Sequence, residues 1–407
     1  MTVLRYGADS SVNLKLPAEG PLETCGVPKG APLTDTAAAV RTALEVPLDY
    51  PSLAQCTTPG DRVAIALGAE VPQVSKVTAA IVQNLLASGV DADGITLLRS
   101  EVDAEADAED PCSLLAASVA ERICVRTHDP MNRRNLAYLA ASESGEPILL
   151  NRMLTDADVV LPVGVMQPDR ATGYYGIHTA LYPEFSDVKT QARFRKHDRF
   201  SDNGHHRELR HEVNHVAWLL GVNFSVQVVP AAGDGILHVL AGQSDAVRHR
   251  GHELYRDAWT WPVAERADLV IAAIEGGSAH QTWENLGRVL ERAGRLVDDG
   301  GAIAVCCELA APPGPGLQRL MGAPSRDAAL RHIRRENPRD LLPALQLARA
   351  LESHRVYLLS RLDAEIVEGL EMIPVESPSD ICRLAQRSRS CLVIANAVRA
   401  IVRVEGE

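Results

Sequence analysis

Six of the thirteen histidines, His178, His197, His205, His206, His211 and His215, fall within 38 consecutive residues. Imidazole is the commonest side-chain ligand of transition metals, so the cluster is a candidate metal site. The competing reading is a solvated loop and helix face rich in histidine. Inside the cluster, His211-Glu212-Val213-Asn214-His215 is a literal H-E-x-x-H. On a helix, positions i and i+4 share a face, so both imidazoles could hold zinc with Glu212 as general base. Catalysis by such a zinc needs a third protein ligand and a bound water, and His238, His252 and Glu253 are available downstream. His197, His211 and His215 are the metal-ligand candidates.

Two further segments carry chemistry. Asp169 and Arg170 precede Ala-Thr-Gly-Tyr-Tyr-Gly-Ile-His178. An arginine there suits a carboxylate substrate, and a loop ion pair is an equal alternative. His178, Arg170 and Asp169 are therefore the catalytic candidates. Tyr174 and Tyr175 either line a pocket or pack the loop, and Gly173 and Gly176 supply turn geometry. Glu275-Gly276-Gly277-Ser-Ala-His280-Gln281-Thr-Trp283-Glu-Asn285 follows a strand pattern and opens a helix pattern. Free backbone N–H groups at such a helix start suit an anion, against the alternative of a plain strand–helix turn. Neither a nucleophile elbow, nor a P-loop, nor a paired-cysteine motif occurs.

These residues must be positioned by alternating strands and helices. Helical spacing covers 35–46, 74–88 (Val74, Val77, Ile81, Leu85 and Leu86 on one face), 206–220, 243–257, 281–295 and 378–387. Short apolar runs predict strands at 63–67, 95–98, 121–127, 156–164, 224–230, 301–309, 355–360 and 390–397, and 259–277 starts a second β-α unit. This order predicts an α/β fold of two domains, 1–260 and 261–407, each a mainly parallel or mixed sheet flanked by helices. The acidic run 101–111 reads as an exposed loop. The polar stretch 165–205 is too long for a plain connection and reads as functional.

The 407 residues suit two domains, and with only 4% aromatics the core must be Val, Leu, Ile and Ala. A net charge of −12 repels phosphate backbones, so nucleic acid is not expected as a partner. No apolar run reaches the ~20 residues of a membrane helix, and the N-terminus lacks a signal-peptide core. A cytoplasmic protein is expected. The eight cysteines are scattered, several within apolar runs, and read as buried thiols.

Several segments, taken in order, resemble the nickel-pincer-dependent lactate racemase family. They are His128-Asp-Pro130, NRMLTDADVVLPVG at 151–164, ATGYYGIHTALYPEF at 171–185, VNFSVQVVP…LHVLAGQSDAVRHRG at 222–251, and ADLVIAAIEGG…Gln281 at 267–281. The resemblance implies two α/β domains with a cleft between them, lined by 165–206 and 275–288. It implies racemisation of 2-hydroxy acids with a nickel-pincer nucleotide tethered to a lysine, nickel held by a histidine, and two histidines exchanging the substrate proton. This chain departs at most of those points. His178 stands where the anchoring lysine belongs. The family's Asp-x-x-Arg falls on Gly68 and Val71. One proton-shuttling histidine falls on Pro168, and the other is absent from the segment after 95–98. His197 lies near the nickel-ligand position. The resemblance further places His178, Gly276, Gly277 and Gln281 at the cofactor, and Trp283 in the same helix start joins them as a cofactor-binding candidate. The cofactor itself is thus unknown. Three functions follow as expectations: a racemase/epimerase-family enzyme with altered or lost chemistry, a pseudoenzyme binding a small anion such as a hydroxy acid, or a His-cluster metalloenzyme. A homo-oligomer is compatible with each.

Overall fold

A computed structural model describes residues 2–14, 22–105, 109–143, 145–169, 173–195 and 203–406. Arg170 and His197 lie outside these residues, as do the side chains of Asp169, His205 and His206. The chain forms two compact units, Gly30–Tyr255 and Met1–Lys29 joined with Arg256–Glu407. The expected single division near 260 left the N-terminal segment with 30–255. It packs instead with the C-terminal part, because strand Leu22–Cys25 pairs in parallel with Cys391–Ile394. The hairpin Thr2–Tyr6/Ser10–Leu14 adds Leu4, Val12 and Leu14 to the core around Ile271 and Val393.

Unit Gly30–Tyr255 is built on a six-stranded sheet. Its order is Ile236–Gln243, Phe224–Pro230, Val159–Val165, Val63–Leu67, Ile95–Arg99, Cys124–Thr127. All neighbours are parallel except the first pair. Val63–Leu67 is an unbroken apolar run buried at every position, which is what a strand covered on both faces requires. Helix Val74–Ala87 buries Val77, Ile81 and Leu85. It ends where Gly89, at φ +89°, lets Val90 N–H reach Leu85 O and its own N–H reach Leu86 O, a Schellman stop. From Val63–Leu67 the chain adds strands on one side, then returns to add Val159–Val165 and its successors on the other. The carboxyl ends of these two central strands therefore flank a topological switch point, where open α/β sheets place their ligands.

Two expectations change here. The 101–111 run is not all exposed loop, since Glu101–Glu105 forms a helical turn directly after strand Ile95–Arg99. The 165–205 stretch holds the paired strands Gln167–Asp169 and Gly173–Tyr175, the 3₁₀ turn Ile177–Ala180 and helix Val188–Arg195.

The unit of Met1–Lys29 and Arg256–Glu407 carries a second sheet. Its order is Ile373–Pro374, Arg355–Leu359, Val297–Cys306, Ala267–Ala273, Cys391–Ile394, Leu22–Cys25, parallel throughout. The buried segments Leu269–Ile274 and Ile303–Cys307 form its middle. Among the described residues, no helix is long and apolar enough to cross a membrane.

Candidate functional site

The 3₁₀ turn Ile177–Ala180 lies over the carboxyl ends of the central strands in unit Gly30–Tyr255. It can do so because Gly68 and Gly164 lack Cβ atoms, which would stand 2.8 and 3.0 Å from the Ala180 methyl. The turn is entered through Gly176 at φ +99°, ψ −179°, and continues through Ile177 at φ +54°. The left-handed region is a costly conformation for a β-branched residue, and such outliers gather at ligand sites. The next residue, His178, receives its orientation from helix Asn203–Leu219, with Nδ1 2.9 Å from Asn214 Oδ1. Its Nε2 is buried and has no hydrogen-bond partner among the described residues. Burial pushes the His178 imidazolium pKa down, opposed by the Asn214 hydrogen bond and Asp245, so the ring is neutral at neutral pH.

His178 lines a small cavity together with Arg210 and Asn214 from helix Asn203–Leu219 and Arg248 and His252 from helix Ser244–Trp259. Arg248 engages Asp245 through Nε and Nη2, at 3.3 and 3.1 Å. Tyr174 closes one side, its ring stacked on His252 with centroids 3.9 Å apart and meeting Tyr255 edge-on at 6.2 Å. Two guanidiniums, one neutral imidazole and an aromatic wall suit a small anion. Behind Gly176, Gln227 is fully buried and both its amide atoms lack a hydrogen-bond partner among the described residues. An unpaired buried amide costs about 1–3 kcal/mol. Gln227→Leu, similar in volume, is therefore expected to raise thermal stability by about 1 kcal/mol. A fall in melting temperature would show that the amide is satisfied after all.

Beside the cavity, three carboxyls converge. Asp103 Oδ1 accepts Glu70 N–H at 3.0 Å, and Gln167 Nε2 donates to Glu70 Oε2 at 3.3 Å. Glu184 accepts from the Ser100 hydroxyl and, at 3.4 Å, from Tyr175 OH, which itself accepts Ala69 N–H at 3.0 Å. Burial, augmented by the charges of Glu70 and Glu184 and opposed by the Glu70 N–H and Arg99, pushes the Asp103 carboxyl up to about 7. Burial raises Glu184 as well.

The sequence candidates divide. His178, Tyr174, Tyr175 and Gly176 come together in the cavity, with His252. His211 and His215 do not join them; both are exposed on the outer face of their helix, and His211 Nδ1 faces Glu143 at 3.6 Å. The catalytic-zinc reading of H-E-x-x-H is corrected by Glu212, which points inward. Burial disfavours its charge, but hydrogen bonds from Arg193 and Tyr182 outweigh this and hold it below the usual carboxylate range. Among the described residues no three His, Cys, Asp or Glu side chains converge to hold a metal. In the other unit, Gln281 is used internally. Its Nε2 donates to Gly276 O at 2.9 Å, and its Oε1 accepts Glu308 N–H at 2.8 Å. Gly276, at φ +118°, lies so close to His280 that a Cβ would be 2.2 Å from the ring, while Trp283 Nε1 donates to Ala311 O and Pro312 O at 2.9 and 3.1 Å. These residues and the adjoining Gly277 build the strand–helix turn itself. Sequence reasoning missed Arg210, Asn214 and Arg248. The available signal was spacing: Arg210/Asn214 and Arg248/His252 are i,i+4 pairs, each on one helix face.

Residues 6–206 match the family described as lactate racemase N-terminal domain. A curated lactate racemase from Thermoanaerobacterium thermosaccharolyticum is 24% identical over 296 residues, 68% of this chain and 68% of that protein. The solved lactate racemase apoprotein from the same organism superposes with a TM-score of 0.77 at 20% identity, covering 98% of this chain and 99% of that one. A crystal structure of a Thermotoga maritima protein matches with a TM-score of 0.65 at 13% identity, covering 92% and 100%.

Proposed function

The chain belongs to the lactate racemase-like family, and on that premise we propose that it binds a small anion non-covalently at His178, Arg210 and Arg248 without the family's tethered cofactor. The observation that carries this reading is His178 itself. A nickel-pincer nucleotide requires a lysine amine as its anchor, and here an imidazole fills that place, bonded to Asn214 through Nδ1. Among the described residues no lysine lines the cavity. Lys76 Nζ is bonded to Gln73, Lys189 is exposed on its helix, and Lys29 stacks on Trp261 in the other unit. Among the described residues, the donor set does not fit the covalent group.

The surroundings support the same reading. Val71, in the place the resemblance gives to a charged family residue, is packed in the apolar core, and Pro168, in the place of a proton-shuttling histidine, pairs with Tyr174 in a short strand ladder. Neither can transfer a proton. What remains is a positively charged recess on an otherwise acidic protein, a local field that concentrates small anions.

Isothermal titration calorimetry with inorganic phosphate, sulfate, acetate and lactate tests the proposal. At least one is expected to bind, and Arg248→Gln is expected to weaken it about tenfold or more, the loss of one charge-assisted hydrogen bond. The intact mass of the isolated chain is expected to equal that of its sequence. Absence of heat with all four anions at millimolar concentration, or a covalently added nucleotide, would overturn the proposal.

A further inference from the structure

Charge alone does not account for the cavity. The Asn214 amide oxygen can only accept, so the proton of the neutral His178 ring sits on Nδ1 and the Nε2 lone pair is left as an acceptor. That Nε2 is buried and has no hydrogen-bond partner among the described residues, which costs on the order of 1–3 kcal/mol. The turn that presents it holds Ile177 in a left-handed conformation, a second local cost. Both costs fall on the residues that put one bare acceptor beside two guanidiniums. The other charged group near His178 is Asp245, which is engaged by Arg248.

A lone pair aimed into an anion site repels an oxygen that has no hydrogen and attracts one that carries a hydroxyl proton. We infer that the cavity selects anions with an O–H group, His178 Nε2 accepting that proton's hydrogen bond while Arg248 and Arg210 hold the charge, and that the ligand is of the phosphate class. Inorganic phosphate keeps at least one O–H at neutral pH, and phosphate monoesters keep one as monoanions. Sulfate has the same shape and none. The tetrahedral group also offers its other oxygens to the two guanidiniums, which match phosphate geometry. This inference rests on the anion-binding reading above and adds to it the residue that discriminates among anions. Asn214 is a positioning residue, acting through the tautomer it imposes on His178.

The test is calorimetric titration of the full chain with inorganic phosphate and sulfate at pH 7, alongside glycolate and acetate. Phosphate is expected to bind at least about tenfold tighter than sulfate, the loss expected when a buried acceptor meets an unprotonated oxygen. His178→Phe, which keeps a planar ring without the acceptor, is expected to bring the two anions within about twofold of each other. Asn214→Leu is expected to reduce the preference while retaining the imidazole, so a folding defect in one variant leaves the other decisive. Equal binding of phosphate and sulfate by the natural chain overturns this inference and leaves the anion reading intact. Failure of all four anions to bind overturns both. Glycolate preferred over acetate, with no phosphate preference, keeps the acceptor role of His178 but overturns the phosphate assignment. A phosphate preference that survives in both variants overturns the role of His178.

Discussion

Asp103→Asn is expected to stabilise the protein at pH 8 by about 4 kcal/mol and at pH 5 by only about 1.4 kcal/mol. Asp103 sits in the helical turn after strand Ile95–Arg99, with its Oδ1 on the Glu70 N–H and the Glu70 and Glu184 carboxyls close by. Burial first, and these two charges next, lift its carboxyl to about 7, against ~4 in an unfolded chain. The sign follows from proton binding. Between pH ~4 and pH 7 the folded state holds a proton that the unfolded state has released, so stability falls as pH rises through that window. Above it, the folded protein bears the full cost of ionising the group, about 1.4 kcal/mol for each tenfold rise in its proton affinity on folding. Asparagine resembles the protonated acid and can still accept the Glu70 N–H, so the variant escapes the small part of the cost already present at pH 5 and the whole of it at pH 8. Denaturant or thermal unfolding of both proteins at the two pH values checks this. Equal differences at pH 5 and pH 8 would show that the carboxyl is not held protonated.

Gly176→Ala is expected to destabilise the unit Gly30–Tyr255 by about 3 kcal/mol or more and to abolish anion binding. The backbone at this position, φ +99° and ψ −179°, belongs to a region that only glycine populates. An added Cβ would stand 2.8 Å from the Val165 carbonyl oxygen and 2.6 Å from Gln227 Oε1. The first is backbone of a central strand and cannot yield. The turn would have to lift, taking His178 away from Asn214 and Arg248. Gly221→Ala is the matched control, since Gly221 also has positive φ, +69°, but no atom lies within 4 Å of its added Cβ. That variant is expected to lose only what a left-handed backbone costs, about 1 kcal/mol. Similar melting temperatures and similar phosphate affinities for the two variants would remove the argument that Gly176 shapes the site.

Much of the architecture is written locally. A strand is expected over Phe224–Pro230 and forms there, and Val74–Ala87 falls one residue short of its expected span. In both, burial follows a periodicity contained in the segment itself. The order of such segments, with the family-like stretches among them, also carries the fold class and the family. Strand Leu22–Cys25 could not be read as an edge of the second sheet, because its partner Cys391–Ile394 is distant in sequence.

The chain's residues alone thus determined its repeating strands and helices, the apolar core they bury, its net negative charge and an imidazole at position 178. Those are properties of residue types and near neighbours. Only the tertiary structure decided which side chains meet. The histidines densest in sequence, His211 and His215, sit on an outer helix face, whereas His178 is joined by Arg210, Asn214, Arg248 and His252 from two separate helices. Likewise an acidic run that reads as solvated supplies Asp103 to a buried carboxyl cluster. The reason is physical. Helix and strand periodicity is set by interactions a few residues apart, but the ionisation and hydrogen bonding of a site depend on burial and on partners that only sheet order and crossover geometry bring together.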